Sequence, residues 1–243
     1  MSINKQDTKA PKSIDKEDIK AETLNFKTKI GELQDILYAQ SKYAILFIIQ
    51  GMDASGKDGS TKNVFEAVNP AGCRVFGFKK PTDIEMKHDF LWRVHKVVPE
   101  RGMIHIFNRS HYEDVLIQRV HKWIDEKTVA QRMAQINDFE RMLSQNHTVT
   151  LKFMLNVSKE KQLERLQERL SDPTKYWKHN ENDMKEREHW DSYMKAYADV
   201  LEKCNETPWT IVPADQNWYK EYIISKKIYD TLSSLKLEYP KPQ

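Results

Sequence analysis

Cysteine, glycine and long apolar runs are all scarce in this chain, and each scarcity excludes something. Only two cysteines stand among 243 residues, Cys73 and Cys204, far apart and without the close spacing of a metal-binding pair. Neither a disulfide framework nor a cysteine-built metal site is expected, and both thiols suit a reducing compartment. No apolar run approaches the ~20 residues that a bilayer span needs, and the charged N-terminus lacks the apolar segment of a secretory signal. The expectation is a cytoplasmic protein with no membrane partner. One-signed charge is missing too. With 39 basic against 36 acidic side chains the net charge is +3, which makes no demand for nucleic acid. Internal repeats and low-complexity linkers are absent, and 39% apolar content is enough for the core of one domain.

Of the seven glycines, three fall in one stretch, Gly51-Met52-Asp53-Ala54-Ser55-Gly56-Lys57-Asp58-Gly59-Ser60. The run before it, Ala44-Ile45-Leu46-Phe47-Ile48-Ile49, is rich in β-branched residues and predicts a strand buried on both faces. After it, Val64, Phe65 and Val68 share one face of a predicted helix. Strand, glycine loop and helix give the G-x-x-x-x-G-K pattern its meaning as a phosphate-binding loop. Gly51, Gly56 and Gly59 let the backbone curl inward, so that the amides of Ala54, Ser55, Asp58 and Ser60 can form an anion nest. Lys57 adds a full charge able to reach phosphoryl oxygens. Two residues depart from the usual pattern. Asp58 stands where a Ser or Thr commonly ligates magnesium, and the loop carries its own carboxylate, Asp53. A carboxylate in an anion cradle repels phosphate unless a cation lies between them. Asp53 therefore points to bridging Mg²⁺ or to positioning of the acceptor, with a turn cap as the plain alternative.

Residues 1–21 offer little to bury and are expected to form a mobile charged tail. Apolar spacing predicts a helix over 22–40. Four further strands are predicted at 73–78, 103–107, 148–157 and 209–213, alternating with helices over 83–98, up to Trp123, 128–146, 159–170, 182–204 and 219–235. Alternation of this kind means a doubly wound parallel sheet with helices on both faces, a three-layer α/β/α fold, in one domain over 22–243. Residues 158–190 place a basic helix, a break at Asp172-Pro173 and a second helix after a strand, the form of a lid in small P-loop kinases. Arg165 and Arg169 lie four apart on that helix; Glu164 and Glu168 beside them also fit an ordinary salt-bridged face. The groove above the strand ends is expected to gather Lys57, Lys79, Lys80, Arg93 and Arg109. From Arg74 to Lys122 there are ten Lys or Arg against six Asp or Glu, so a polyanionic substrate is expected. Five of eight histidines fall between 88 and 121 without any metal-ligand spacing, and His88 and His95 are placed on one helix.

Six motifs in order give the chain a resemblance to the polyphosphate kinase 2 family: Gly-Met-Asp-Ala-Ser-Gly-Lys-Asp-Gly at 51–59, Lys-Pro-Thr at 80–82, Phe-Leu-Trp-Arg at 90–93, Phe-Asn-Arg-Ser-His-Tyr-Glu-Asp-Val-Leu at 107–116, Asp-Pro-Thr-Lys-Tyr-Trp-Lys at 172–178 and Pro-Trp-Thr-Ile-Val-Pro-Ala at 208–214. The resemblance implies a P-loop kinase-like fold with a five-stranded parallel sheet and a helical lid. It also implies Mg²⁺-dependent phosphoryl transfer between inorganic polyphosphate and nucleotides. By the family pattern Asp53, Lys57 and Arg109 are catalytic, Asp53 being the Mg²⁺ residue. Lys80 and Arg93 line the phosphate channel, and Arg165, Arg169 and Lys178 belong in or beside the lid. The Asp58 variant and the His-Tyr-Glu-Asp segment resemble short members that use ADP/ATP and GDP/GTP, some of which also accept AMP. Exposed aromatic helices point to a dimer or tetramer. Asp215-Gln216-Asn217 departs from the family pattern. Two rivals remain: an ATP-dependent nucleoside monophosphate or small-metabolite kinase on the same fold, and a non-catalytic polyanion-binding module. Donor use separates the first, and absence of turnover with salt-sensitive RNA binding would mark the second.

Overall fold

With no polar residue before Gln50 to interrupt it, the first apolar run becomes strand β1 (Ala44–Gly51), buried at every position. A strand with two covered faces belongs in the middle of a parallel sheet, and that is its place in the computed structural model, which describes residues 3 and 6–242. The other strands are β2 (Cys73–Gly77), β3 (Ile104–Asn108), β4 (Thr148–Asn156) and β5 (Trp209–Pro213). All pairings are parallel and the order across the sheet is β2-β3-β1-β4-β5. The chain thus moves to one side of β1 and then crosses to the other. Ligands bind outside the carboxyl ends of the strands at such a switch point. Register puts Ile49 beside Asn108 and Gly51 beside Leu155, so the glycine loop leaves the sheet between the ends of β3 and β4.

The α-helices are α1 (Lys16–Gln40), α2 (Lys57–Val64), α3 (Trp92–His95), α4 (Ile117–Val120), α5 (Glu126–Gln145), α6 (Lys159–Ser171), α7 (Asp183–Glu188), α8 (Trp190–Lys203) and α9 (Asn217–Ser234). None is long and apolar enough to cross a membrane among the described residues. Every expected strand lies within one residue of its observed bounds. The helices differ more. α1 starts at Lys16, six residues before the expected Glu22, because Asp15 caps it by accepting from the Glu17 and Asp18 amides. The tail expected over 1–21 therefore runs into a helix. Its residues 1, 2, 4 and 5 lie outside the described residues, while Thr8 and Ala10 bond to Asp215 and Gln216. The helix expected over 83–98 is broken in two. Thr82 and Glu85 bond each other's backbone amides, and Asp89 then accepts from the Leu91 amide, which starts a fresh turn. His88 between them is extended, so it and His95 do not share a helix. A second break, at His189, separates α7 from α8.

One buried charge pair lies beneath the site. Lys152 of β4 donates to Glu140 (2.8 Å), Tyr112 Oη (2.8 Å) and the Cys204 carbonyl (2.9 Å). Neither charged side chain has measurable exposure. Tyr112 in turn donates to Glu140 at 2.6 Å. Removing one partner leaves the other charge uncompensated in the core, at about 3–5 kcal/mol. Glu140→Leu is therefore expected to lower Tm by roughly 10 °C, and adding Lys152→Met should recover most of the loss. Circular dichroism melting checks both. An unchanged Tm in the single variant would mean that the pair contributes nothing.

Candidate active site

The glycine loop owes its path to two positions. Gly51 has φ +152°, and a Cβ there would lie 2.8 Å from Ser55 Oγ and 2.9 Å from the Leu155 carbonyl. Gly56 has φ +96°, and a Cβ would collide with Lys220 Nζ. Only glycine serves at either place. α2 starts at Lys57, so the amides of its first turn lack helical acceptors and face the loop, the arrangement that binds phosphate. Ser60 Oγ bonds back to the Gly56 carbonyl. Around the loop, the buried Ser55 Oγ and Gln162 Oε1 have no hydrogen-bond partner among the described residues. Orphaned polar atoms of this kind mark a surface shaped for a polar ligand.

Three side chains form the charged centre. Lys57 Nζ donates to the carbonyls of Gly51 (2.7 Å) and Met52 (3.0 Å) and lies 4.0 Å from Asp53 Oδ1. Burial, with Arg109 nearby, pushes its ammonium down to about 8 against the pull of Asp53 and Glu113. Arg109 reaches the same Oδ1 from the tip of β3. It adopts φ +62°, a left-handed conformation unusual for arginine, and its amide is held by the Ile49 carbonyl at 3.1 Å. Burial would raise the Asp53 carboxyl, but Lys57 and Arg109 outweigh it and hold the group below its ordinary value. Glu113, in the 3₁₀ turn His111–Asp114, is different. Burial dominates and raises its carboxyl, despite Arg109 and Lys57.

Asp53 and Arg109 line two spaces at once. On one side is a groove of about 700 Å³, bounded by Gly56 to Gly59, Lys79, Arg169, Lys175, Trp177, Lys178 and Lys220. On the other is a cavity of about 140 Å³, bounded by Glu113, Gln162, Asn180, Glu186, Tyr193 and Tyr197. Burial and the Glu113 charge keep the Tyr197 hydroxyl protonated. A chain of phosphates suits the first space, and a second reactant could meet it at the Asp53–Arg109 pair.

The remaining expected residues are distributed unevenly. Ala54 (φ +61°) and Gly59 lie in the loop beside the groove. Asp58 accepts from Asn108 Nδ2 at 2.7 Å and sits 3.4 Å from Lys178 Nζ, linking β3 to the segment after α6. Arg169 also lines the groove, bonded to Asp183 at 2.7 Å and to the Lys178 carbonyl. Lys80 is exposed outside the groove, and its neighbour Lys79 lines the wall instead. Arg93 is buried and bonded to the Lys79 carbonyl (2.9 Å) and Asp114 (3.1 Å), which fixes the turn carrying Glu113. Arg165 clamps backbone: it donates to the carbonyls of Ala54 and Ser55 at 3.1 Å and of Ala214 at 2.9 Å. The segment after Ala214 has a structural part of its own. Asp215 accepts from the Ser158 amide, and Asn217 holds Arg165 and Lys220, whose Nζ reaches the Gly56 carbonyl at 3.3 Å. Neither Lys220 nor the tyrosines of α8 carries a motif; only the tertiary fold brings them here. Glu113 was within reach, as a carboxylate following the tip of a central strand.

Among the described residues no group of three or more His, Cys, Asp or Glu is placed to hold a metal ion. The donor set nonetheless suits Mg²⁺, which binds through one or two carboxylates and completes its shell with phosphate oxygens and water. Asp53 and Glu113 line one cavity, and both Asp53 contacts fall on Oδ1, leaving Oδ2 for a cation.

A central strand running into a phosphate loop, an arginine at the next strand tip and a basic segment after the fourth strand define a P-loop kinase-like phosphotransferase fold. The model of the polyphosphate kinase 2 family matches residues 13–240. The chain belongs to that family. It is 45% identical over 217 residues to an AMP/ADP-polyphosphate phosphotransferase of Meiothermus ruber, covering 88% of this chain and 81% of the relative. An ADP-polyphosphate phosphotransferase of Rhodopseudomonas palustris is 41% identical over 227 residues, covering 88% and 78%. The crystal structure of polyphosphate kinase 2 from Arthrobacter aurescens TC1 superposes with a TM-score of 0.96 at 41% identity, covering all of this chain and 89% of that one.

Proposed function

We propose that the chain transfers a phosphoryl group between inorganic polyphosphate and a nucleoside diphosphate, with Asp53, Lys57 and Arg109 at the reacting centre. The observation that carries this reading is the Asp53–Arg109 pair, which lines both the cationic groove and the cavity behind it. Polyphosphate lies along the groove on the loop amides, Lys79 and Lys178. The nucleotide's terminal phosphate approaches from the lid, residues 158–190. Lys57 and Arg109 stabilise charge on the moving phosphoryl group, and Asp53 orients both cations. Mg²⁺, held by Asp53 with Glu113 nearby, would neutralise and align the reacting phosphates. Closing the lid excludes water that would otherwise hydrolyse the chain. No protein nucleophile is needed.

The activities for which the Meiothermus ruber and Rhodopseudomonas palustris relatives are named support polyphosphate with AMP or ADP as the substrate pair. GDP/GTP use, a dimeric or tetrameric assembly and a cytoplasmic location complete the proposal. The acceptor range is tested by incubating purified protein with long-chain polyphosphate and Mg²⁺ and supplying ADP, GDP or AMP separately. Triphosphate is expected from both diphosphates, and ADP from AMP if monophosphates are accepted. Failure of both diphosphates would overturn the acceptor assignment.

A further inference from the structure

Trp177 is the most exposed large apolar side chain among those described, with 76% of its surface open, and it lines the cationic groove. Exposure alone marks no site, since Trp123 is also open at 63%. What distinguishes Trp177 is its setting. Its indole N–H donates to the Thr174 carbonyl at 3.0 Å, within a turn that Asp172 caps by accepting from both the amide and the hydroxyl of Thr174. Pro173 opens the same turn. The ring is therefore presented in a fixed orientation. Lys178 sits 5.0 Å from its centroid and 3.4 Å from Asp58 beside the glycine loop, so one side chain separates the indole from the loop.

An aromatic face carries negative quadrupole charge and repels anions. It has no favourable contact to offer a phosphate chain, although the groove around it is lined with lysine and arginine. The part of the substrate pair that an indole does recognise is a neutral, planar one. Resting on the polyphosphate–nucleotide reading above, we infer that Trp177 is the stacking platform for the nucleobase of the acceptor nucleotide. Trp177 belongs to the lid segment from which the nucleotide approaches, so the nucleotide's phosphates run from there to the Asp53–Arg109 pair while the loop and Lys178 keep the polyphosphate. Stacking tolerates every base, because each has a π-face. This platform therefore gives affinity for the nucleoside without choosing between adenine and guanine.

The test is equilibrium binding by calorimetry, in Mg²⁺ buffer, of ADP and of tripolyphosphate, which carries the charge without a base. Wild type, Trp177→Ala and Trp177→Phe are compared, and the exposed position leaves the fold unaffected. Trp177→Ala is expected to weaken ADP about tenfold while tripolyphosphate binds unchanged. Trp177→Phe should keep ADP within about threefold of wild type. Unchanged ADP affinity in Trp177→Ala would overturn the inference, and so would equal loss of both ligands, which is what a mere prop for the lid would give. Wild-type protein that bound neither ligand would sink the underlying reading and this inference with it.

Discussion

Lys57→Met is expected to lower turnover by about 10²- to 10³-fold while the protein stays folded. Methionine keeps the length and apolar stem of the lysine, which is buried at the start of α2. It removes the ammonium that sits within 4.0 Å of Asp53 and beside the first-turn amides. In a site closed to water, charge developing on a transferring phosphoryl group has few other partners, so a missing cation acts on the transition state directly. The Gly51 and Met52 carbonyls also lose a donor, so some loss of Tm accompanies the change. Rate and melting measurements on one preparation separate the two effects. A folded variant with near-normal turnover would remove Lys57 from the reacting centre.

The second large effect is expected at Asp53. Asp53→Asn keeps the side-chain shape but deletes the charge that Lys57 and Arg109 share. Two cations then face each other without their carboxylate, and the loop loses its one site for a metal. Turnover should fall by about 10²-fold or more, and the Mg²⁺ concentration for half-maximal rate should rise. Asp53 is one-third exposed, so the melting temperature should fall less than in the Glu140 variant, whose deleted charge is fully buried. A variant with reduced rate but an unaltered Mg²⁺ requirement would leave Asp53 as an orienting group only.

Much of the fold was legible because β1 is a run without polar interruption. Its flanking glycines and the lysine after them then specified the loop. Strand ends were predictable to within a residue, since a glycine, asparagine or proline closes each strand, at Gly51, Gly77, Asn108, Asn156 and Pro213. Helix 83–98 was not, because Thr82 and Asp89 offered the backbone local partners that periodicity does not register. Arginine was the least legible residue. Arg109, Arg93 and Arg165 look alike in sequence, yet one faces the centre, one pins Asp114 and one holds loop carbonyls. Which partner an arginine takes depends on contacts far along the chain. The same holds for Lys220, which comes to Gly56 from 164 residues away.

The most direct test of the account is ATP formation from ADP, long-chain polyphosphate and Mg²⁺ with no other phosphoryl donor. ATP that appears with the wild-type protein and is nearly abolished with Lys57→Met is the predicted result. No ATP from polyphosphate, alongside ATP-consuming phosphorylation of some other acceptor, would contradict it and leave a P-loop kinase of another kind.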